Sequence, residues 1–131
     1  MQVDKAINLV KKYLDAMIRR DVVEASQYIH PEAIIIYPGG KTFNALSTLS
    51  ESSSKKFKTL DKTFDRFEAL TREDGIHIVF VAGTLNGTWP DDSVFKGIRF
   101  IDRYEVDQNN IIKQEVWSDS AEFRLEKLLN K

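Results

Sequence analysis

The chain has no cysteine, which removes disulfides, thiolate metal sites and cysteine nucleophiles together. That absence also fits a reducing cytoplasm, the expected location. Histidine is nearly as scarce. His30 and His77 stand far apart with no third ligand at suggestive spacing, so no metal is expected. An excess of one charge is missing too. The formal net charge is -1 and the pI about 6.1, giving no electrostatic case for nucleic acid or an anionic membrane. The clusters Arg19-Arg20 and Lys55-Lys56-Phe57-Lys58 are short and read as solvated faces. The longest apolar run, Ile78 to Ala82, is far below the ~20 residues that span a bilayer. Asp4, Lys5, Lys11 and Lys12 interrupt the N-terminal apolar pattern, so neither a signal peptide nor a membrane partner is expected. Two motifs of group-transfer enzymes are absent as well. No G-x-S-x-G occurs, and Gly39-Gly40-Lys41-Thr42 has Ile35 where a phosphate-binding loop needs glycine.

What is present describes one domain over residues 1–131, enough chain to bury about two thirds of its unfolded surface. Hydrophobic content is 42% and charged content 30%, ordinary for a globular protein. Val3, Ile7, Val10, Leu14 and Met17 recur at spacings of three and four and predict an amphipathic helix over roughly 3–19. Asp21 caps a second, shorter helix carrying Val22, Ala25 and Ile29, which His30-Pro31 ends. Ala33 to Tyr37 is a strand rich in β-branched residues, closed by a turn at Pro38-Gly39-Gly40. Asn44 caps a third helix with Leu46, Leu49, Ser53 and Phe57 on one side. Strands follow over roughly 60–72, 76–86, 95–106 and 111–118, the last two joined by a hairpin turn at Asp107-Gln108-Asn109-Asn110. Asp119 and Glu122 have capping-box spacing before a closing helical turn or two. Helices first and an antiparallel meander second make an α+β domain. Its first helix lies across a curved, mostly antiparallel sheet and leaves a cone-shaped cavity between them.

The stretch Gly97 to Val106 carries the strongest functional signal. Strand alternation puts Asp102 on one face with Ile98, Phe100, Tyr104 and Val106, while Arg99, Arg103 and Glu105 point the other way. A carboxyl among apolar neighbours must be paired, protonated or facing a cavity, because an unpaired buried charge is too costly.

This order of elements resembles the nuclear-transport-factor-2-like superfamily, and within it the SnoaL-like and ketosteroid-isomerase-like proteins. The resemblance rests on Tyr13-Leu14-Asp15-Ala16 with Asp21, Ala33 to Gly40, Phe100 to Val106, and Val116-Trp117-Ser118-Asp119. It implies a cystatin-like cone fold, no cofactor, a small hydrophobic molecule as partner, and a homodimer formed through the open sheet face. Ketosteroid isomerases hold an enolate oxygen between a tyrosine on the first helix and a protonated aspartic acid on a middle strand. The resemblance puts Tyr13 and Asp102 at those places. It puts Tyr37, immediately before Pro38, where that family keeps its proton-abstracting aspartate, and a phenol is a poor base at neutral pH. The epoxide hydrolases of the superfamily would align their last-strand aspartate with Asp119, but their Arg-x-Asp pair meets Thr84-Leu85-Asn86-Gly87.

The candidate catalytic residues are therefore Asp102, Tyr13 and Asp119, and the candidate substrate-binding residues are Tyr37, Trp117, Phe100 and Tyr104. Each also has a structural reading. Asp102 can bond a neighbouring tyrosine inside a plain core, Asp119 can act only as a helix cap, and Trp117 can wall the cavity or sit in a dimer interface. Asp119, Glu115 and His77 are the alternatives for a missing base. Two functions follow: cofactor-free proton transfer or cyclisation on a hydrophobic carbonyl compound, as an isomerase or cyclase would perform, or non-catalytic binding of a small apolar ligand in a degenerate site.

Overall fold

Ala6, Val10, Tyr13, Leu14 and Ala16 form the buried stripe of the first helix, α1 (Val3–Ile18), whose period of three to four the sequence displays. The computed structural model describes residues 2–43, 46 and 55–130. The body of the helix expected from Asn44, with Leu49 and Ser53, lies outside the described residues. A four-residue helix follows α1, α2 (Val22–Ala25), where the Asp21 carboxylate accepts from the Glu24 backbone N–H at 3.0 Å. The strands are β1 (Ile29–Tyr37), β2 (Lys41–Phe43), β3 (Thr59–Thr71), β4 (His77–Thr88), β5 (Val94–Val106) and β6 (Ile111–Ser118), and the chain closes with α3 (Ser120–Leu129).

The six strands form one sheet in the order β2-β1-β6-β5-β4-β3. All neighbours are antiparallel except β1 and β6, which run parallel. β5 shows clean alternation: Ile98, Phe100, Asp102, Tyr104 and Val106 are buried, while Arg99 and Ile101 are exposed and Arg103 and Glu105 half-buried. α1 packs on the inner face over β3 and β4. Phe57, Trp89 and Phe95 close one end of the core, with ring centroids 4.6–5.5 Å apart.

Two local expectations are revised. The second helix stops at Ala25, and β1 begins at Ile29, running through His30 and Pro31 instead of starting after them. Proline is accommodated because the β1–β6 register shifts between Ile29 and Ile34, where no ladder bond is required of it. Lys41 to Phe43, between the expected turn and the helix expected from Asn44, adds a short edge strand that pairs back on Ile35 to Tyr37. Gly39 and Gly40 make this hairpin possible, with φ of 85° and 80° that side chains resist.

Candidate functional site

Asp102 projects from the middle of β5, with Val81 and Val116 opposite it on the two flanking strands. It is fully buried. Its Oδ2 accepts from the Tyr104 hydroxyl at 2.7 Å, while Oδ1, equally buried, has no hydrogen-bond partner among the described residues. Such an atom is costly unless something fills its place. Asp102 lines a cavity of about 100 Å³. Met17, Phe57, Leu60, Leu85, Phe100 and Val116 supply apolar walls, and Tyr37 and Pro38 stand at the exit of β1.

A hydrogen-bond chain stands behind the carboxyl. Tyr13 on α1 donates to Gln114 Oε1 at 2.7 Å, Gln114 Nε2 donates to the Tyr104 oxygen at 3.2 Å, and Tyr104 donates to Asp102. Tyr104 and Gln114 are direct cross-strand partners, so the β5–β6 register sets this contact. The turn holding that register is fixed by Asp107 Oδ1, which accepts from the N–H groups of Asn109 and Asn110 at 2.8 Å. The tyrosine rings meet edge to face, 6.0 Å apart.

The direction of the chain has a chemical consequence. Reversing it would make Tyr13 an acceptor from Gln114 and leave its buried hydroxyl hydrogen without a bond. In the direction present, Tyr104 already donates to Oδ2, so a proton on Asp102 belongs on Oδ1. Burial raises the Asp102 pKa above the usual carboxylate range, against the opposing pull of the Lys62 charge and the Tyr104 hydrogen bond. Burial likewise pushes Tyr13 and Tyr104 far above the ordinary phenol value, with the nearby Asp102 carboxyl adding to both. They are donors, not bases.

The expected residues fall into two groups. Asp102, Tyr13 and Tyr104 are joined in one network, and Tyr37 and Phe100 line the cavity with Asp102. Tyr13 reaches Asp102 through Gln114 and Tyr104, and its hydroxyl is spent on Gln114. Asp119 instead pairs with Arg99 at 2.5 Å, and its side chain makes no cap bond to α3. Trp117 is half-exposed on the opposite face of the sheet. Of the alternative bases, Glu115 is ion-paired to Arg103 on that outer face. His77 lies at the far end of β4, paired in register with Val106, about 13 Å along the strand from the level of Asp102, and its Nδ1 meets the Thr71 hydroxyl at 2.9 Å. Gln114 was not foreseen. Its signal is the one that marks Asp102, a polar residue between Ile112 and Val116 on one face of a strand. Arg20 and Lys56, read as parts of solvated faces, line the cavity instead, and so does Lys62, which as a lysine in a half-buried strand reads as surface.

Burial raises the Tyr37 pKa, with the Asp102 charge adding to it. No group of three or more potential metal ligands occurs among the described residues. No helix there is long and apolar enough to cross a membrane.

No protein-family profile and no curated protein matches the chain. Solved structures do resemble it. An NTF2-like protein of unknown function from Burkholderia pseudomallei superposes with a TM-score of 0.78 at 16% identity, over 94% of this chain and 95% of that one. TerC, co-crystallized with polyporic acid, gives 0.74 at 16% identity over 90% and 94%. IdmH from Streptomyces antibioticus, a candidate polyketide cyclase, gives 0.73 at 15% identity over 92% and 94%. The chain thus has the nuclear-transport-factor-2-like fold, that of the superfamily its Tyr13, Asp102 and Val116-to-Asp119 stretches resemble.

Proposed function

We propose that the protein holds a hydrophobic carbonyl compound in this cavity, with the neutral Asp102 acid donating from Oδ1 to the carbonyl oxygen. The observation that carries this reading is the fully buried, unpartnered Oδ1 at the cavity wall. A donor preset in a site of low dielectric strengthens as charge develops on the oxygen, and one such donor is worth about 10²–10³-fold in rate. Cofactor-free enolisation or cyclisation follows, with Asp102 as acid and solvent water accepting the α-proton. Tyr104, Gln114 and Tyr13 are positioning residues that hold the carboxyl and orient its proton. Tyr37 and Phe100 contact the ligand body. The candidate cyclase assignment of IdmH, on a fold of this kind, is consistent with that chemistry.

A second reading, non-catalytic binding, draws on a specific observation. Tyr37 occupies the place of the expected base with its pKa raised, and Asp119, Glu115 and His77 stand off the cavity. One experiment separates the two. Carbonyl-labelled 2-acetylnaphthalene is followed by carbon NMR in heavy water, reading both its carbonyl shift and deuterium uptake at its methyl group. A downfield shift that persists in Asp102→Asn and vanishes in Asp102→Leu is expected, since an amide still donates where the acid did. Exchange catalysed by wild type and reduced about 10²-fold in Asp102→Leu, which has no donor, identifies an enzyme. Shift without exchange identifies a binder, and no shift in wild type defeats both.

We infer in addition a cytoplasmic homodimer formed through the outer sheet face, where Ile101 and Trp117 are exposed side by side.

A further inference from the structure

Three cations, Arg20, Lys56 and Lys62, line the cavity, and Asp102 is the sole acid among its described lining residues. Several cations elsewhere are matched: Arg19 pairs with Asp15 and Glu24, Lys58 with Asp92, Arg99 with Asp119, Arg103 with Glu105 and Glu115. None of the three cavity cations has a carboxylate at ion-pair distance among the described residues.

Each is held in place by something other than a counter-charge. The Lys62 ammonium sits over the Phe100 ring, 5.2 Å from its centroid, on the wall that also carries Asp102. Lys56 is half-buried next to Phe57, and its pKa is lowered by burial and then by the charges of Lys41 and Arg124. The cavity mouth is therefore more positive than the three lining residues alone make it. Arg20 ends α1 with φ of 57°, in the left-handed region where glycine or asparagine would stand without strain. Its backbone N–H donates to the Met17 carbonyl at 3.0 Å. The Asp21 N–H donates to the Ala16 carbonyl at 2.9 Å, completing a helix stop that fixes the backbone from which Arg20 reaches the cavity.

We propose that the ligand is an apolar acid, with its hydrocarbon body against Phe57, Leu60 and Phe100 and an anionic oxygen, carboxylate or ionised enol, at Arg20, Lys56 and Lys62. This deepens the functional reading above, which concerns a neutral carbonyl at Asp102. The two ends of the cavity then ask for opposite things of one molecule. At the inner end a protonated acid offers a hydrogen bond, and an anion there would have to leave water for a buried wall with a single donor. At the mouth, unpaired cations favour a charge that can stay partly hydrated.

The test uses the full chain and two probes of nearly equal shape, 2-naphthoate and the neutral 2-naphthamide, titrated calorimetrically at low and high salt. The naphthoate is expected to bind at least about tenfold more tightly at low salt, with the advantage shrinking as salt screens the mouth. In the double variant Arg20→Gln, Lys62→Gln, melting like wild type, the ratio is expected to fall to within about threefold. Equal affinities, no measurable binding of either probe, or a preference that survives in the double variant overturns the proposal. Should the double variant not fold, Lys62→Gln alone, on the rigid strand β3, must lower the ratio, or the proposal fails. The ketone experiment reads Asp102 and this one reads the mouth, so one reading can fail while the other stands.

Discussion

Asp102 is at once the residue on which the proposed chemistry rests and one the fold holds at a cost. Burial raises its pKa, so between the unfolded and folded values the native protein keeps a proton that the unfolded chain releases. The native protein thus binds more protons in that window, and stability falls as pH rises through it. The contribution is complete below the ordinary carboxylate range and lost once the pH passes the folded value. Asp102→Asn keeps an acceptor for Tyr104 and a donor toward the cavity but cannot ionise. Its melting temperature is expected to match wild type at pH about 4 and to exceed it at pH about 8, each kcal/mol of relief appearing as roughly 3–5 °C in a domain of this size. Parallel curves at both pH values would mean that the carboxylate ionises freely and is not the donor. Alternation made Asp102 legible in the sequence, and Tyr104 with it, two residues along the same face. Gln114 carried the same mark but is chemically bland, and only the register across the Asp107 turn brings it to Tyr104. The cavity cations were misread for a different reason: Arg20 and Lys56 stand in short basic clusters, and a cation beside other cations reads as a solvated face.

Strands carry their function through irregularities as much as through alternation. Gly83 on β4 lies where the β3–β4 register shifts, between Phe64 and Arg66. A Cβ there would come within 2.0 Å of the Thr63 carbonyl oxygen and 3.1 Å of the Phe100 ring. The first is backbone and cannot rotate away. Since Phe100 lines the cavity, this close approach sets both sheet shape and site. Gly83→Ala is expected to cost about 2–3 kcal/mol, the range of an overpacked core, read as a lower urea midpoint at unchanged slope. A loss under about 0.5 kcal/mol, typical of surface positions, would show that β3 moves aside freely. Gly97 makes the complementary device on β5: with φ of 78° it takes up the extra residue where the β4–β5 register shifts, and its N–H donates to Asn86 Oδ1 at 3.0 Å. β3 to β6 were legible almost to the residue because each half-buried strand repeats every two residues and ends in polar turn residues. The start of β1 was not, because Ile29-His30-Pro31 reads locally as a helix end. Its parallel partner β6 lies about eighty residues on, beyond the reach of any local pattern.

At the scale of the molecule the sheet divides two tasks between its faces. The inner face holds the core, the Tyr13-to-Asp102 chain and the cavity. The outer face sets exposed Ile101 beside exposed Trp117 on adjacent strands, next to a half-buried ion-pair network of Arg103 with Glu105 and Glu115. A large indole and an isoleucine left open beside charges already satisfied among themselves suit a self-complementary contact, because a two-fold axis brings the same patch to both sides. Sedimentation velocity at micromolar concentration is expected to show a dimer for wild type and a monomer for Trp117→Glu, since an interface core tolerates an unpaired carboxylate poorly. The same variant decides the other reading of Trp117. Its indole lies across the sheet from the cavity, so the 2-naphthoate affinity of the monomeric variant is expected to stay within about twofold of wild type, as for residues that share no partners. A dimer that persists removes the outer face as the interface. A monomer that has also lost the naphthoate would tie binding to assembly and return Trp117 to the site.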